Sequence, residues 1–291
     1  MLAVLATAML ALGTAPATPV ASAAAAAPPP WHPGVRAVRR YALHRHGTVA
    51  FSVRTRDGDG PVRVWGLRQD RAAHSASVIK AMLLMAYLER RDVRGRPLRE
   101  DEEALLAPMI RWSSNDAATR VLGLVGGEHL ERAARRWGMT HFHLRSPWGV
   151  SEITARDQTR FWIRFDRLLP RRHRQYGLRL TRQIIPGQRW GIARVSPRGW
   201  VLHFKGGWGS GSGLVDHQVA LLTRGEQHVA VAILTTDQDS HLYGQETLRG
   251  VAARLLRGLA RSPRPRPKPE PKPEPQPRPQ PAPAPGPAAP A

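Results

Sequence analysis

The chain has 291 residues, enough for one large domain or two small ones, and no cysteine, which excludes disulfides, thiol catalysis and cysteine-ligated metals. It carries 44 Lys and Arg against 22 Asp and Glu, a net charge of +22. Residues 1–30 hold no charge and the tail from Ser262 onward holds five basic and two acidic residues, which leaves +19 for the body from Trp31 to Arg261. Such a body attracts polyanions such as nucleic acid, anionic lipid or wall polymers, although an arginine-biased composition gives the same excess without a specific partner.

The chain opens on an apolar stretch, Leu2 to Leu12, too short to span a bilayer. Small residues and Ala21-Ser22-Ala23 follow, which reads as a secretory signal peptide over 1–23 without its usual basic start. Residues 24–47 are expected to form a leader to the core. Thr48–Thr55 and Val62–Leu67 read as strands around the turn RDGDG. Val78–Leu88 is apolar on nearly every face, the mark of a buried helix, with Ser77 at its start. Helices are expected over 101–111, 115–124, 128–137 and 156–168, the last preceded by Thr154. Strands return at 200–207, 214–224 and 228–237, the last two as a hairpin over Gly225-Glu226, and a helix closes the body from about Leu242 to Leu259.

That order predicts an α/β (αβα) sandwich. An antiparallel sheet of about five strands, built from 48–76 and 196–261, carries the terminal helices, and 77–195 forms an inserted all-helical domain. From 262 to 291, proline at nearly every second position favours an extended polyproline chain that cannot build a core.

The rare residues carry the chemistry. Of the four lysines two lie in the tail, so the body has Lys80 and Lys205 alone, and every other body cation is Arg. Under a bias that converts surface Lys to Arg, the survivors mark positions where Arg fails. Arg is effectively never deprotonated, whereas Lys becomes a neutral amine when its pKa is depressed. Lys80 stands one helical turn from Ser77 in an S-x-x-K, a pattern that by itself occurs about once by chance in a chain this long. The one asparagine, Asn115, completes Ser113-Ser114-Asn115, an S-x-N, and Lys205 opens the K-x-G of Lys205-Gly206-Gly207 on an expected strand, followed by Trp208. Each motif is weak, but the three in this order use every body Lys and Asn. The same residues also fit plain duties: Ser77 as a helix cap, Lys80 snorkelling, Ser113 and Asn115 as caps, GGWGSGSG as a flexible turn and Trp208 as a wall of packing.

With these motifs the stretch Thr48 to Leu259 resembles the serine β-lactamase and penicillin-binding protein superfamily, specifically class A β-lactamase-like secreted serine hydrolases. GMTHFHLRSPWGVSEITARDQ is similar to the loop after the S-x-N helix in a short-looped branch of that family. The resemblance implies that Ser77 is the acylated nucleophile, Lys80 takes its proton, and Ser113 passes a proton to the leaving nitrogen. It implies that Asn115 holds the substrate amide and the Lys80 amine, and that Lys205 draws in the substrate carboxylate. Gly206, Gly207 and Trp208 would line the substrate strand, with the Ser77 and Trp208 N–H groups as the oxyanion hole. A lysine base near neutrality needs a shift of about three pKa units, roughly 4 kcal/mol, which burial and a second cation supply.

Active class A enzymes hydrolyse the acyl-enzyme with a Glu that orients water, helped by a nearby Asn. This chain has no second Asn, and between Glu131 and Asp166 only Glu152 and Asp157 are acidic. Asp157, next to Arg156, reads as part of a structural ion pair, and Glu152 is expected to fall short of the site. Gly206 removes the hydroxyl that the family's K-T-G or K-S-G offers a carboxylate. The expectation is a secreted or wall-associated bacterial serine hydrolase with intact acylation and slow deacylation. Its substrate would be a β-lactam, a D-Ala-D-Ala-like wall peptide, or another small amide or ester. The competing readings are a D,D-carboxypeptidase and a catalytically idle wall-binding protein. No cofactor, nucleic acid, transmembrane anchor or second copy is called for, and anionic wall polymers remain a candidate partner. The H-x-H pairs His44/His46 and His141/His143 read as surface or structural histidines, so no metal site is expected.

Overall fold

A computed structural model describes residues 31–210 and 213–261. The expected signal peptide and Pro-rich tail lie outside the described residues. Five antiparallel strands form the main sheet: β1 (Thr48–Asp57), β2 (Arg63–Leu67), β5 (Val201–Gly209), β6 (Val215–Arg224) and β7 (Gln227–Thr236), in the order β2-β1-β7-β6-β5. Residues 73–74 (β3) and 152–153 (β4) make a separate two-stranded ladder. The helices are α1 (Val35–Ala42), α2 (Ile79–Leu88), α3 (Glu100–Arg111), α4 (Asn115–Val125), α5 (Gly127–Arg136), α6 (Ala155–Trp162), α7 (Phe165–Leu168), α8 (Arg174–Arg182) and α9 (His241–Leu255).

The central strand β7 pairs with β1 in register from Thr48 opposite Thr236 to Asp57 opposite Gln227. Most of both strands is buried on both faces, which their near-continuous apolar runs require. The β6–β7 hairpin closes over Gly225-Glu226, with Gly225 at φ +57°, as the sequence indicates. Helix α9 packs on β6 and β7, and α6 packs on β1, β6 and β7. Every residue of α2 is buried, and α3, α4 and α5 surround it. A helix apolar on all sides has no stable place except inside such a bundle.

The structure adds two helices to the expected elements and divides a third. The leader 24–47 contains α1, which packs on α9. Tyr41 crosses α9 where Gly250 leaves room, since a Cβ there would lie 2.3 Å from the Tyr41 hydroxyl. The single helix expected over 156–168 is two, broken at Ile163–Arg164, where Trp162 and Phe165 stack at 4.6 Å. Helix α8, unanticipated, lies along the edge strand β5. Edge strands need such cover because their backbone groups are otherwise open to pairing.

Candidate active site

Ser77 sits in a 3-10 turn, Ala76–Val78, that feeds directly into α2. Ala76 holds φ +42° just before it, a left-handed strain at a non-glycine residue. The cap positions of that turn and of α2 are Ser75 and Val78, so Ser77 is not a helix cap. Lys80, in the first turn of α2, is fully buried rather than snorkelling. Its Nζ donates to the Ser113 carbonyl, to Ser113 Oγ at 3.1 Å and to Asn115 Oδ1 at 2.7 Å. The Trp148 ring centroid lies 5.1 Å from the same nitrogen. Burial pulls the Lys80 pKa down to about 7.

Ser113 lies between α3 and α4 at φ +61°. Ser114, not Ser113, caps α4, accepting from Ala117 N at 3.2 Å. That leaves the Ser113 hydroxyl available to the site. Lys205 reaches it from β5: its Nζ donates to Ser113 Oγ at 3.0 Å and to Gly206 O at 2.8 Å. Lys205 is fully buried, and burial followed by repulsion from Lys80 holds its pKa well below the usual lysine value.

The strand that carries Lys205 abuts the nucleophile turn. A Cβ on Gly207 would stand 2.8 Å from both Ser77 N and Val78 N, so only glycine lets β5 approach this closely. Trp208 is 37% exposed and meets Trp190 edge-to-face at 6.0 Å. A cleft of about 280 Å³ opens over Ser77, lined also by Ser113, Asn115 and Trp208. The structure thus brings Ser77, Lys80, Ser113, Asn115 and Lys205 together from three separate stretches of chain, with Gly206, Gly207 and Trp208 along one side.

Sequence reasoning did not single out His74, Trp148, Val150 and Val215, which complete the cleft wall. Trp148 is fixed by its Nε1, which donates to Thr119 Oγ1 at 3.1 Å. Its position inside the family-like loop was the available signal. None of the residues lining the cleft is a carboxylate. Glu152 is engaged by Arg145, whose Nη2 donates at 3.0 Å. Asp157 does belong to an ion pair, but its partner is Arg160 at 3.1 Å, one helical turn away, while Arg156 pairs with Asp70. The i,i+3 spacing puts Arg160 on the same helix face, whereas adjacent residues point apart. Asp157 also accepts from His141 N at 2.6 Å, and His46 meets Asp239 at 2.8 Å.

A model of the β-lactamase enzyme family matches residues 101–259, more than half of the chain. The chain belongs to that family. The matched span takes in Ser113, Asn115 and Lys205 and begins after Ser77 and Lys80. Among solved structures, a β-lactamase from Sphaerobacter thermophilus is similar at 19% identity and TM-score 0.66, over 79% of this chain and 98% of its own. A class A β-lactamase from Mycobacterium abscessus is similar at 17% identity and TM-score 0.65, over 78% and 99%. A β-lactamase from Xanthomonas campestris follows at 14% identity and TM-score 0.64, over 78% and 97%. No curated protein matches the chain. The fold is that of the class A β-lactamases, and the protein is a β-lactamase-like serine hydrolase.

Proposed function

We propose that this member of the family is an exported acyl-transferring hydrolase with Ser77 as nucleophile, acting on a β-lactam, a D-Ala-D-Ala-like amide or a small ester. The observation that carries the reading is the convergence of both body lysines on Ser113 Oγ, in the cleft that Ser77 also lines.

In acylation, neutral Lys80 takes the Ser77 hydroxyl proton as Oγ attacks the substrate carbonyl. The C–O bond forms and the carbonyl carbon–nitrogen bond breaks. Ser113 gives its hydroxyl proton to the departing nitrogen and recovers one from the Lys80 ammonium, so the net change is one proton lost by Ser77 and one gained by the leaving group, with Ser113 restored and Lys80 neutral again. The close approach of β5 to the Ser77 turn supports an oxyanion hole from the Ser77 and Trp208 N–H groups. Asn115 holds the Lys80 amine and offers its amide to the substrate, while Lys205 supplies the positive field for a substrate carboxylate. Water then cleaves the ester to release the acid and free Ser77. With no carboxylate in the cleft wall to orient that water, deacylation is slow.

The apolar start of the chain supports export to the cell exterior or wall. The test is intact-mass labelling of the purified chain with a fluorescent penicillin, for wild type and Lys80→Arg. A lasting adduct on Ser77, lost in Lys80→Arg, is expected. Rapid loss of penicillin without an adduct overturns slow deacylation. Neither adduct nor turnover, with no release of D-Ala from a D-Ala-D-Ala peptide, overturns the acyl-transfer reading in favour of an idle wall binder.

A further inference from the structure

The positive charge of this chain is not spread evenly. From Arg167 to Val215 there are nine arginines and Lys205 but no Asp or Glu. Helix α8 and strand β5 both come from this acid-free stretch, and a second cavity of about 540 Å³ lies between them. Arg179, Arg182, Gln175, Gln183 and His203 supply its polar lining. The His203 ring is held in the wall, its Nδ1 donating to Leu178 O at 3.0 Å. Arg179 and Arg182 are exposed, and among the described residues neither makes an ion pair; Glu103 and Asp166, the acids whose charge is felt nearby, do not line the cavity. Arg179 rests over the Tyr176 ring at 5.3 Å, and the Arg189 guanidinium donates to Arg182 O at 3.2 Å.

The cavity also has a fixed relation to the cleft. His203 and Lys205 are two residues apart on β5, so they share a face and stand about 7 Å apart along the strand. A long ligand laid against α8 would therefore run toward the active site.

We infer that the groove between α8 and β5 binds a phosphodiester polymer of the polyol-phosphate type and holds it beside the cleft. Two arginines with amide donors suit bridging phosphates and polyol hydroxyls. The cavity wall offers no Phe, Tyr or Trp, and its one ring, His203, is only 5% exposed and so presents little face for a base to stack on, which favours a base-free polymer over single-stranded nucleic acid. The inference does not depend on Ser77 chemistry.

The experiment measures binding of fluorescein-labelled poly(glycerol phosphate) to the full chain by anisotropy, across a salt series. The variants are Arg182→Gln, Arg179→Gln/Arg182→Gln, and a charge-matched control on the exposed side of the C-terminal helix region, Arg249→Gln/Arg257→Gln. The groove double variant is expected to bind at least about tenfold more weakly and to lose about two from the logarithmic salt slope. The single variant should lose about one, and the control should stay near wild type, with penicillin labelling of Ser77 unchanged throughout. Equal loss in groove and control variants overturns the inference, because net charge then explains binding. Inorganic phosphate competing as well as the polymer, per phosphate, overturns it in favour of a simple anion site. An oligonucleotide binding more tightly than poly(glycerol phosphate) overturns it in favour of nucleic acid. Failed penicillin labelling with intact polymer binding would instead strike only the proposed catalytic function.

Discussion

Lys80 and Lys205 are 125 positions apart in the chain, yet their amines donate to one oxygen, Ser113 Oγ, at 3.1 and 3.0 Å. Neither has a carboxylate partner among the ion pairs of the described residues. Two buried ammonium groups this close repel each other, and desolvation disfavours each separately. Both amines therefore lose protons more readily than an exposed lysine, Lys80 through burial and Lys205 through burial and the charge of Lys80.

Lys80 sets the acid limb of activity. Its pKa near 7 means that the amine protonates as pH falls through 7, so the rate of penicillin acylation should drop tenfold per unit below pH 6. Lys80→Arg should lower the plateau rate above pH 7 by about 10²- to 10⁴-fold and remove the limb. Stopped-flow acylation from pH 5 to 9 measures both. The folded pKa lies below the unfolded value, so the unfolded chain binds more protons between about pH 7 and 10.5. Stability should rise with pH across that window, and Lys80→Met should flatten the rise in urea titrations.

Lys205→Met separates folding from function. A fully buried amine, costly to desolvate, is replaced by an apolar side chain of similar length, so thermal stability should stay level or increase. Penicillin acylation should fall by about 10² or more, because the donor on Ser113 Oγ and the positive field are both gone. Melting temperature and labelling rate, taken on one preparation, distinguish this from a folding defect.

Gly207→Ala should injure the oxyanion hole more than the fold. The added methyl collides with Ser77 N and Val78 N at 2.8 Å and pushes β5 off the nucleophile turn. A loss of about 10²- to 10³-fold in acylation is expected. An unchanged rate would show that the Ser77 and Trp208 N–H groups are not used together.

Glu102 anchors the helical part. It is 2% exposed and accepts from Arg96 Nη1 and Nη2 at 2.7 Å, from Arg99 N at 2.8 Å and from Tyr87 OH at 3.0 Å. The Arg96 guanidinium leads in pulling its pKa down to about 2. Because that is below the unfolded value, its stabilisation is present above about pH 4.5 and is lost as pH falls toward 2. Glu102→Gln should cost about 3 kcal/mol in urea unfolding at pH 7 and weaken the acid-induced loss between pH 4.5 and 2.

The sequence by itself determined the sheet strands, the buried helix after Ser77 and the identities of the motif residues. Apolar strand-forming runs, an all-apolar helix and a two-residue hairpin are local patterns, and the scarcity of Lys and Asn made Lys80, Lys205 and Asn115 stand out. Tertiary structure alone decided what these residues touch. That Ser114 rather than Ser113 caps α4, that Asp157 pairs with Arg160, and that Trp148 closes over Lys80 depend on backbone angles and packing that no spacing encodes. Helices α1 and α8 went unread for the same reason. α1 buries only Val38, and α8 is short and Arg-rich with a narrow buried face of Tyr176, Gly177, Leu180 and Thr181, so each is helical because α9 or β5 receives it. Local patterns fix elements when one side of them must leave water; the convergence of two lysines on one hydroxyl is a property of the packed chain.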